Sequence, residues 1–249
     1  MNDIQNKKVF PFESKMSRDM EAMNVFCFQH AGGSASSYRK WTLEVLPVKI
    51  ICVELPGRGM RRREKFIEDF EELTDHLAQE IYTKNNGAKF SLFGHSMGAA
   101  LAFKVCYKLE KQYGISPSKL IVAGRQAPQK ENLLEFKSYM GDEALIAELK
   151  RYQQTPEEIF NDNDFLNHIL KEIRKDYRLN DSFLYNQEVI STPIIAHAAT
   201  NDVEATKDIM KNWEQVTQES FSLREFEGNH FFVLDDQTYL SYLVKDILA

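Results

Sequence analysis

A chain of 249 residues with 43% hydrophobic content can bury the core of one sizeable α/β domain and is short for two. Its formal net charge of −6 supplies no overall cationic field, which argues against nucleic acid or an anionic membrane as partner. The first twenty residues are polar and mixed in charge, and no later stretch has the apolar run of a secretory signal or membrane span; the protein is expected to be soluble and cytoplasmic.

In chain order, the first strand-like run is Asn24 to Gln29 (NVFCFQ), followed by the glycine-rich QHAGGS. Lys49 to Leu55 (KIICVEL), Lys89 to Phe93 (KFSLF) and Lys119 to Ala123 (KLIVA) repeat the pattern: short, rich in Val, Ile and Phe, and bounded by breakers, as in buried parallel strands. Between them, Phe70 to Tyr82 places Leu73, Leu77 and Ile81 at four-residue spacing, and Met97 to Tyr113 carries apolar residues at helical spacing before Gly114; both predict crossover helices. Thr192 to Ala198 (TPIIAHA), Phe221 to Phe226 and a final helix near Tyr239 to Ile247 extend the alternation, which implies a mostly parallel sheet with helices on both faces.

Between Ala127 and Ser191 the alternation stops and the sequence turns charged and helical, broken by Thr155-Pro156 and the cluster Asn161 to Asp164. The expected organisation is therefore a single domain over 1–249 with a helical lid inserted at 128–190. Cys27, Cys52 and Cys106 lie inside apolar runs, odd in number and without metal-type pairing, and are expected to be reduced and buried. The one local basic group, Arg58 with Arg61, Arg62 and Arg63, is either solvated surface or a patch for an acidic partner.

The chemistry centres on KFSLFGHSMGAALAF, where an apolar strand runs into Gly94-His95-Ser96-Met97-Gly98 and then into a helix. A serine on such a sharp turn needs small residues where neighbouring backbones approach, here Gly94 and Gly98, and the following amide, that of Met97, points at a developing oxyanion. Ser96 is thus the expected nucleophile. A serine hydroxyl needs a histidine to take its proton and a carboxylate to hold that histidine's tautomer. Of six histidines, His76 lies in an amphipathic helix, His168 in the expected lid, His197 in a strand and His95 beside the nucleophile, while His30 opens the glycine-rich loop. His230, after Glu227-Gly228-Asn229 and a strand, is placed as the base. The chain order serine, acid, histidine then selects Asp202, just past TPIIAHAA, over Glu204 and Asp208. The second oxyanion donor belongs on the loop after the first central strand, and the Ala31 amide is the first choice. No metal or cofactor is required by such a site.

HAGGSASSYRKW (30 to 41), ELPGRGMRRRE (54 to 64), LFGHSMGAALAF (92 to 103), GRQAP (124 to 128), TPEEIF (155 to 160), RKDYRL (174 to 179) and GNHFFV (228 to 233) together resemble the free-standing type II thioesterases of nonribosomal peptide and polyketide synthesis, a branch that also includes the medium-chain thioesterase of animal fatty-acid synthesis. The resemblance implies the α/β-hydrolase fold, a Ser96–Asp202–His230 triad, and hydrolysis of wrong or stalled acyl groups from the phosphopantetheine arm of a carrier protein by a monomeric enzyme. Asn229, Val203 and Gln153-Gln154 depart from the family's usual glycine, proline and glycines; none of them replaces a reacting group. A carboxylic-ester hydrolase or medium-chain fatty acyl thioesterase with the same triad, and an inactive carrier-binding partner, are the competing expectations.

Overall fold

A computed structural model of the chain describes residues 8–16, 23–130, 137–152 and 154–249. In chain order its strands are β1 (Phe12–Glu13), β2 (Lys15–Met16), β3 (Met23–Phe28), β4 (Val45–Leu46), β5 (Lys49–Cys52), β6 (Lys89–His95), β7 (Leu120–Ala123), β8 (Ile194–Ala199) and β9 (Phe221–Phe226). Its helices are α1 (Phe70–Asn85), α2 (Met97–Tyr113), α3 (Asp142–Tyr152), α4 (Glu157–Phe160), α5 (Asn163–Asp181), α6 (Lys207–Met210), α7 (Phe232–Asp235) and α8 (Tyr239–Leu248), with 3-10 turns at Ala35–Leu43, Gly59–Arg61 and Lys211–Val216. The principal sheet runs β1-β5-β3-β6-β7-β8-β9; β1 pairs antiparallel and every other pairing is parallel.

Side-chain alternation divides the interior between the two faces. Phe26, Phe28, Ile51, Leu92, Leu120 and Val122 join α1 and α2 in one cluster with Trp213. Val25, Cys27, Ile50, Cys52, Phe93 and Ile121 point the other way, into a cluster with Tyr38, Trp41 and α8. A strand buried on both faces has no polar face to alternate with, which is why these segments read as continuous apolar runs. A third, separate cluster of Leu145, Leu149, Leu166, Leu170 and Tyr177 holds α3 against α5. All three cysteines are free and buried, as expected.

The six expected strands and three expected helices are all present, and the differences lie at their ends. β5 stops at Cys52 because Glu54 turns inward: its carboxylate accepts from the Ala35 amide (3.1 Å) and the Met60 amide (3.4 Å), so Glu54 and Leu55 build a loop. β8 begins at Ile194, since Pro193 has no N–H to offer the ladder. β6 runs two residues further than expected, to His95, where Gly94 and His95 still pair with Val122 and Ala123. β1, β2 and β4 were not legible, being two residues long and without periodicity. Arg58 and Arg61, grouped with Arg62 and Arg63 from sequence, are internal: Arg58 pairs with Glu172 and Asp176, and Arg61 with Glu64, leaving only Arg62 and Arg63 exposed. Among the described residues no helix is long and apolar enough to cross a membrane.

The crossing of β6 into α2 leaves no room at two glycines. A Cβ on Gly94 would lie 2.1 Å from the Gly98 carbonyl oxygen, and one on Gly98 would lie 2.2 Å from that of Phe28. Gly98→Ala should cost more than about 4 kcal/mol, because the obstacle is backbone and cannot rotate away, whereas Gly141→Ala, with nothing within 4 Å, should stay within about 0.5 kcal/mol. Thermal unfolding of the two variants checks this.

Candidate active site

Ser96 sits between β6 and α2 with φ 56° and ψ −120°, a conformation rarely adopted by a residue bearing a side chain. Its amide donates to the Ala123 carbonyl (2.9 Å), so the neighbouring strand holds the turn in place. From Phe90 to Ala100 every residue is buried except Ser96, which is half-exposed into a cavity of about 180 Å³. Ala31, Met97 and His230 line the same cavity. Met97 is the first residue of α2, where main-chain amides have no partner within the helix and carry its positive end.

The expected base and acid meet. His230, 6% exposed, has Nδ1 2.8 Å from Oδ2 of Asp202, which is 3% exposed. Asp202 stands on the turn after β8, its Oδ1 accepting from the amides of Glu204 (3.1 Å) and Ala205 (3.3 Å). Burial pushes its carboxyl up, but His230 and these two amides outweigh that and hold it below the ordinary aspartate value. An ionised Asp202 accepts from Nδ1–H, leaving Nε2 as the basic nitrogen. Asn229, where the family favours glycine, orders the turn before His230 by accepting from the Phe231 amide (2.8 Å). Val203 is exposed beside the acid, and Gln153 lies outside the described residues.

The remaining histidines separate as the sequence suggested, with one addition. His76 accepts from Arg61 (3.0 Å) on α1, His168 is exposed on α5, and His197 bridges Tyr239 (2.8 Å) and Asp246 (3.2 Å) under α8. His95 does more than turn away from Ser96: its Nε2 lies 2.8 Å from the main-chain carbonyl of His230, which can only accept, so Nε2 carries the proton. The residue before the serine thereby fixes the backbone of the expected base. His30 packs its ring 5.5 Å from that of His95 and 4.9 Å from that of Phe231.

Several further contacts are not visible in the sequence. The Tyr152 ring, from α3, lies 4.8 Å from the His230 ring, and its hydroxyl donates to Glu204 (2.7 Å). Arg151 also pairs with Glu204, so the weighed alternative to Asp202 is engaged by α3 instead of the imidazole. The Gly32 amide donates to Asp176 of α5 (2.6 Å), and Arg125 of GRQAP donates to Asn180 (2.8 Å) while its carbonyl receives the Trp213 indole N–H (2.7 Å). The quoted segments RKDYRL and GRQAP were the available signal, but which loop each would meet is a tertiary fact.

A serine, an imidazole oriented by a carboxylate, and two main-chain amides around one cavity are the parts of nucleophilic acyl transfer. Burial holds His30, His95 and His197 toward their neutral forms. Burial, together with repulsion from His230, lowers His30 to about 4 and takes His95 well below the ordinary histidine value; burial also lowers His197, against the pull of Asp246. Below about pH 6.5 the unfolded chain therefore binds protons that these folded imidazoles refuse, so they withdraw stability as pH drops from there toward about 4, while the buried carboxyls of Glu54 and Asp176, which burial pushes up, act in the opposite sense nearer the carboxylate range. Asp202 and Asp246, both held below the ordinary aspartate value, add a further loss at lower pH. Melting temperature should decline between about pH 7.5 and 5.5, above the range in which the carboxyls titrate; a flat profile over that interval contradicts the neutral imidazoles.

The family model described as "Thioesterase domain" matches residues 23–248. Thioesterase PikA5 of Streptomyces venezuelae is 33% identical over 218 residues, covering 86% of this chain and 76% of its own, and gramicidin S biosynthesis protein GrsT of Aneurinibacillus migulanus is 30% identical over 86% of this chain and 84% of its own. Among solved structures, the type II thioesterase BorB from the borrelidin biosynthetic cluster superposes with a TM-score of 0.79 at 32% identity, covering 94% of this chain and 95% of that one. The type II thioesterase YbtT, from the yersiniabactin pathway, gives 0.83 at 26% identity, with 94% of each chain covered. The chain belongs to the thioesterase family and is an enzyme of the α/β-hydrolase fold.

Proposed function

We propose that the protein is a type II thioesterase that clears wrong or stalled acyl groups from the phosphopantetheine arm of carrier domains in a nonribosomal peptide or polyketide synthase. Ser96 Oγ gives its proton to His230 Nε2 and adds to the thioester carbon, while the Ala31 and Met97 amides receive the negative charge. The C–S bond breaks and the thiol leaves with the proton held by His230. Water then gives a proton to His230 and its oxygen to the acyl carbon; Ser96 Oγ leaves, reprotonated, and the free acid departs. Asp202 keeps Nδ1 protonated throughout. The observation that carries this reading is the Asp202–His230 pair at 2.8 Å, whose histidine lines the same cavity as the strained Ser96.

The relatives support the pathway: YbtT is the type II thioesterase of the yersiniabactin nonribosomal peptide and polyketide pathway, and BorB comes from the borrelidin biosynthetic cluster. Residues 128–190 act as the lid, a reading supported by the separate cluster that holds α3 to α5 and by Leu149, Tyr152 and Tyr177 on the cavity wall. The partner is an acyl-loaded carrier domain, met in the cytoplasm by a monomer. The cavity wall mixes polar groups such as Gln126 and Gln154 with apolar ones such as Leu149, Ile173 and Phe231.

Ser96→Ala and His230→Ala should each lower turnover by several powers of ten, and Asp202→Asn by roughly 10⁴ through the wrong tautomer. Mass spectrometry of a panel of acyl-loaded carrier proteins, with matched oxyesters as controls, tests both the reaction and the acyl preference. An active Ser96→Ala protein, or oxyesters cleaved as well as thioesters, contradicts the reading.

A further inference from the structure

The loop that carries Ala31 does not stand on β3 alone. The amide of Gly32 donates to Oδ2 of Asp176 (2.6 Å), and Oδ1 of Asp176 pairs with Nη2 of Arg58 (2.7 Å). Asp176 is 1% exposed and Arg58 8%. Arg58 is fixed in turn by Glu172, through Nη1 to Oε2 (2.9 Å) and Nη2 to the main-chain carbonyl (2.5 Å), with its guanidinium over the Phe66 ring at 5.6 Å. A buried carboxylate with a cation on one oxygen and a main-chain amide on the other is a rigid bracket, because neither partner can move without leaving charge unpaired in the interior. The other side of the loop is equally confined: a Cβ on Gly32 would lie 3.1 Å from Ile173, also on α5.

We infer that Asp176, held by Arg58, is a positioning residue for the oxyanion loop: it orients the 30–32 main chain so that the Ala31 amide faces the oxygen on the carbon attacked by Ser96. Three segments far apart in sequence, HAGGS, LPGRG and RKDYRL, meet in this bracket. It makes α5 part of the acyl-transfer machinery as well as a wall of the cavity. The inference rests on the proposed Ser96 mechanism, and goes beyond it in naming what sets the oxyanion donor's direction.

Asp176→Asn is the sharpest test. An amide has one acceptor where the bracket needs two, so its NH2 must face either the guanidinium or the Gly32 N–H. In the folded variant kcat should fall about 10- to 100-fold with KM changed less than about threefold, the scale expected when a donor to the transition state is misaimed. Affinity for an acyl trifluoromethyl ketone, which forms a tetrahedral oxyanion on Ser96, should fall in step with kcat, while affinity for the matching non-hydrolysable thioether should hold. A merely structural role would move both ligands together or neither, and either result overturns the inference. If Asp176→Asn does not fold, Arg58→Lys, which keeps the charge but loses the fork to Glu172, should show the same split on a smaller scale; an unchanged kcat there overturns it equally. Fluorophosphonate labelling of the wild-type protein separates the two readings. Absence of label on Ser96 removes the proposed mechanism itself, whereas normal wild-type labelling with equal rates in the variants removes only the bracket.

Discussion

Everything at the site depends on how closely α2 is brought against the end of β6. At Ser96 the chain turns from strand to helix within one residue, at a cost of about 1–3 kcal/mol in backbone strain. The turn persists because the surrounding main chain leaves it no alternative. Gly94 touches the Gly98 carbonyl, Gly98 touches the Phe28 carbonyl, and the Ser96 amide is bound to Ala123. The contact with Phe28 matters beyond packing, since it seats α2 directly on the strand from which the Ala31 loop departs. Nucleophile, helix amide and loop amide are thus registered to one another by backbone, before any side chain contributes.

A second layer of constraint is electrostatic and mostly buried. Asp202 is ionised in a poorly solvated place because His230 and two amides surround it, and His95 is held neutral in another by burial, despite the main-chain carbonyl of His230 that faces its protonated nitrogen. The glutamate two residues after Asp202 carries a comparable carboxylate with a different use: Arg151 and Tyr152 engage it from α3. Two acids on one turn are therefore told apart by what faces them. One faces an imidazole, the other an arginine and a phenol.

The strands and crossover helices were legible because their periodicity reports burial directly, and the Met97–Tyr113 helix appears with the bounds its sequence gives. The positions of Ser96, Asp202 and His230 were legible because each follows a strand whose end can be read. What stayed hidden is contact between segments with no shared periodicity. Nothing in LPGRG says that its arginine turns inward to α5, and the run of Arg61, Arg62 and Arg63 reads as one surface although Arg61 is buried and its two neighbours are exposed. Tyr152 likewise looks like the end of an amphipathic helix until its ring is found against His230. Local pattern reports which face of an element is buried, and says little about what it is buried against.

The short antiparallel strand β1 closes one side of the sheet. Without it, the outer edge of β5 would present unpaired N–H and C=O groups on a flat apolar strand, the geometry that recruits extended chains. Glu13 reinforces the closure by pairing with Lys49 on β5 and Lys84 on α1 (2.5 Å each), so the edge is covered by backbone and then clasped by charge. The opposite edge, β9, is protected differently: Arg224 is held by Asp246 of α8 and Glu225 by Lys207. Residues 8–16 thus serve as a guard against stray association, and shortening the chain past them would trade a paired edge for a sticky one.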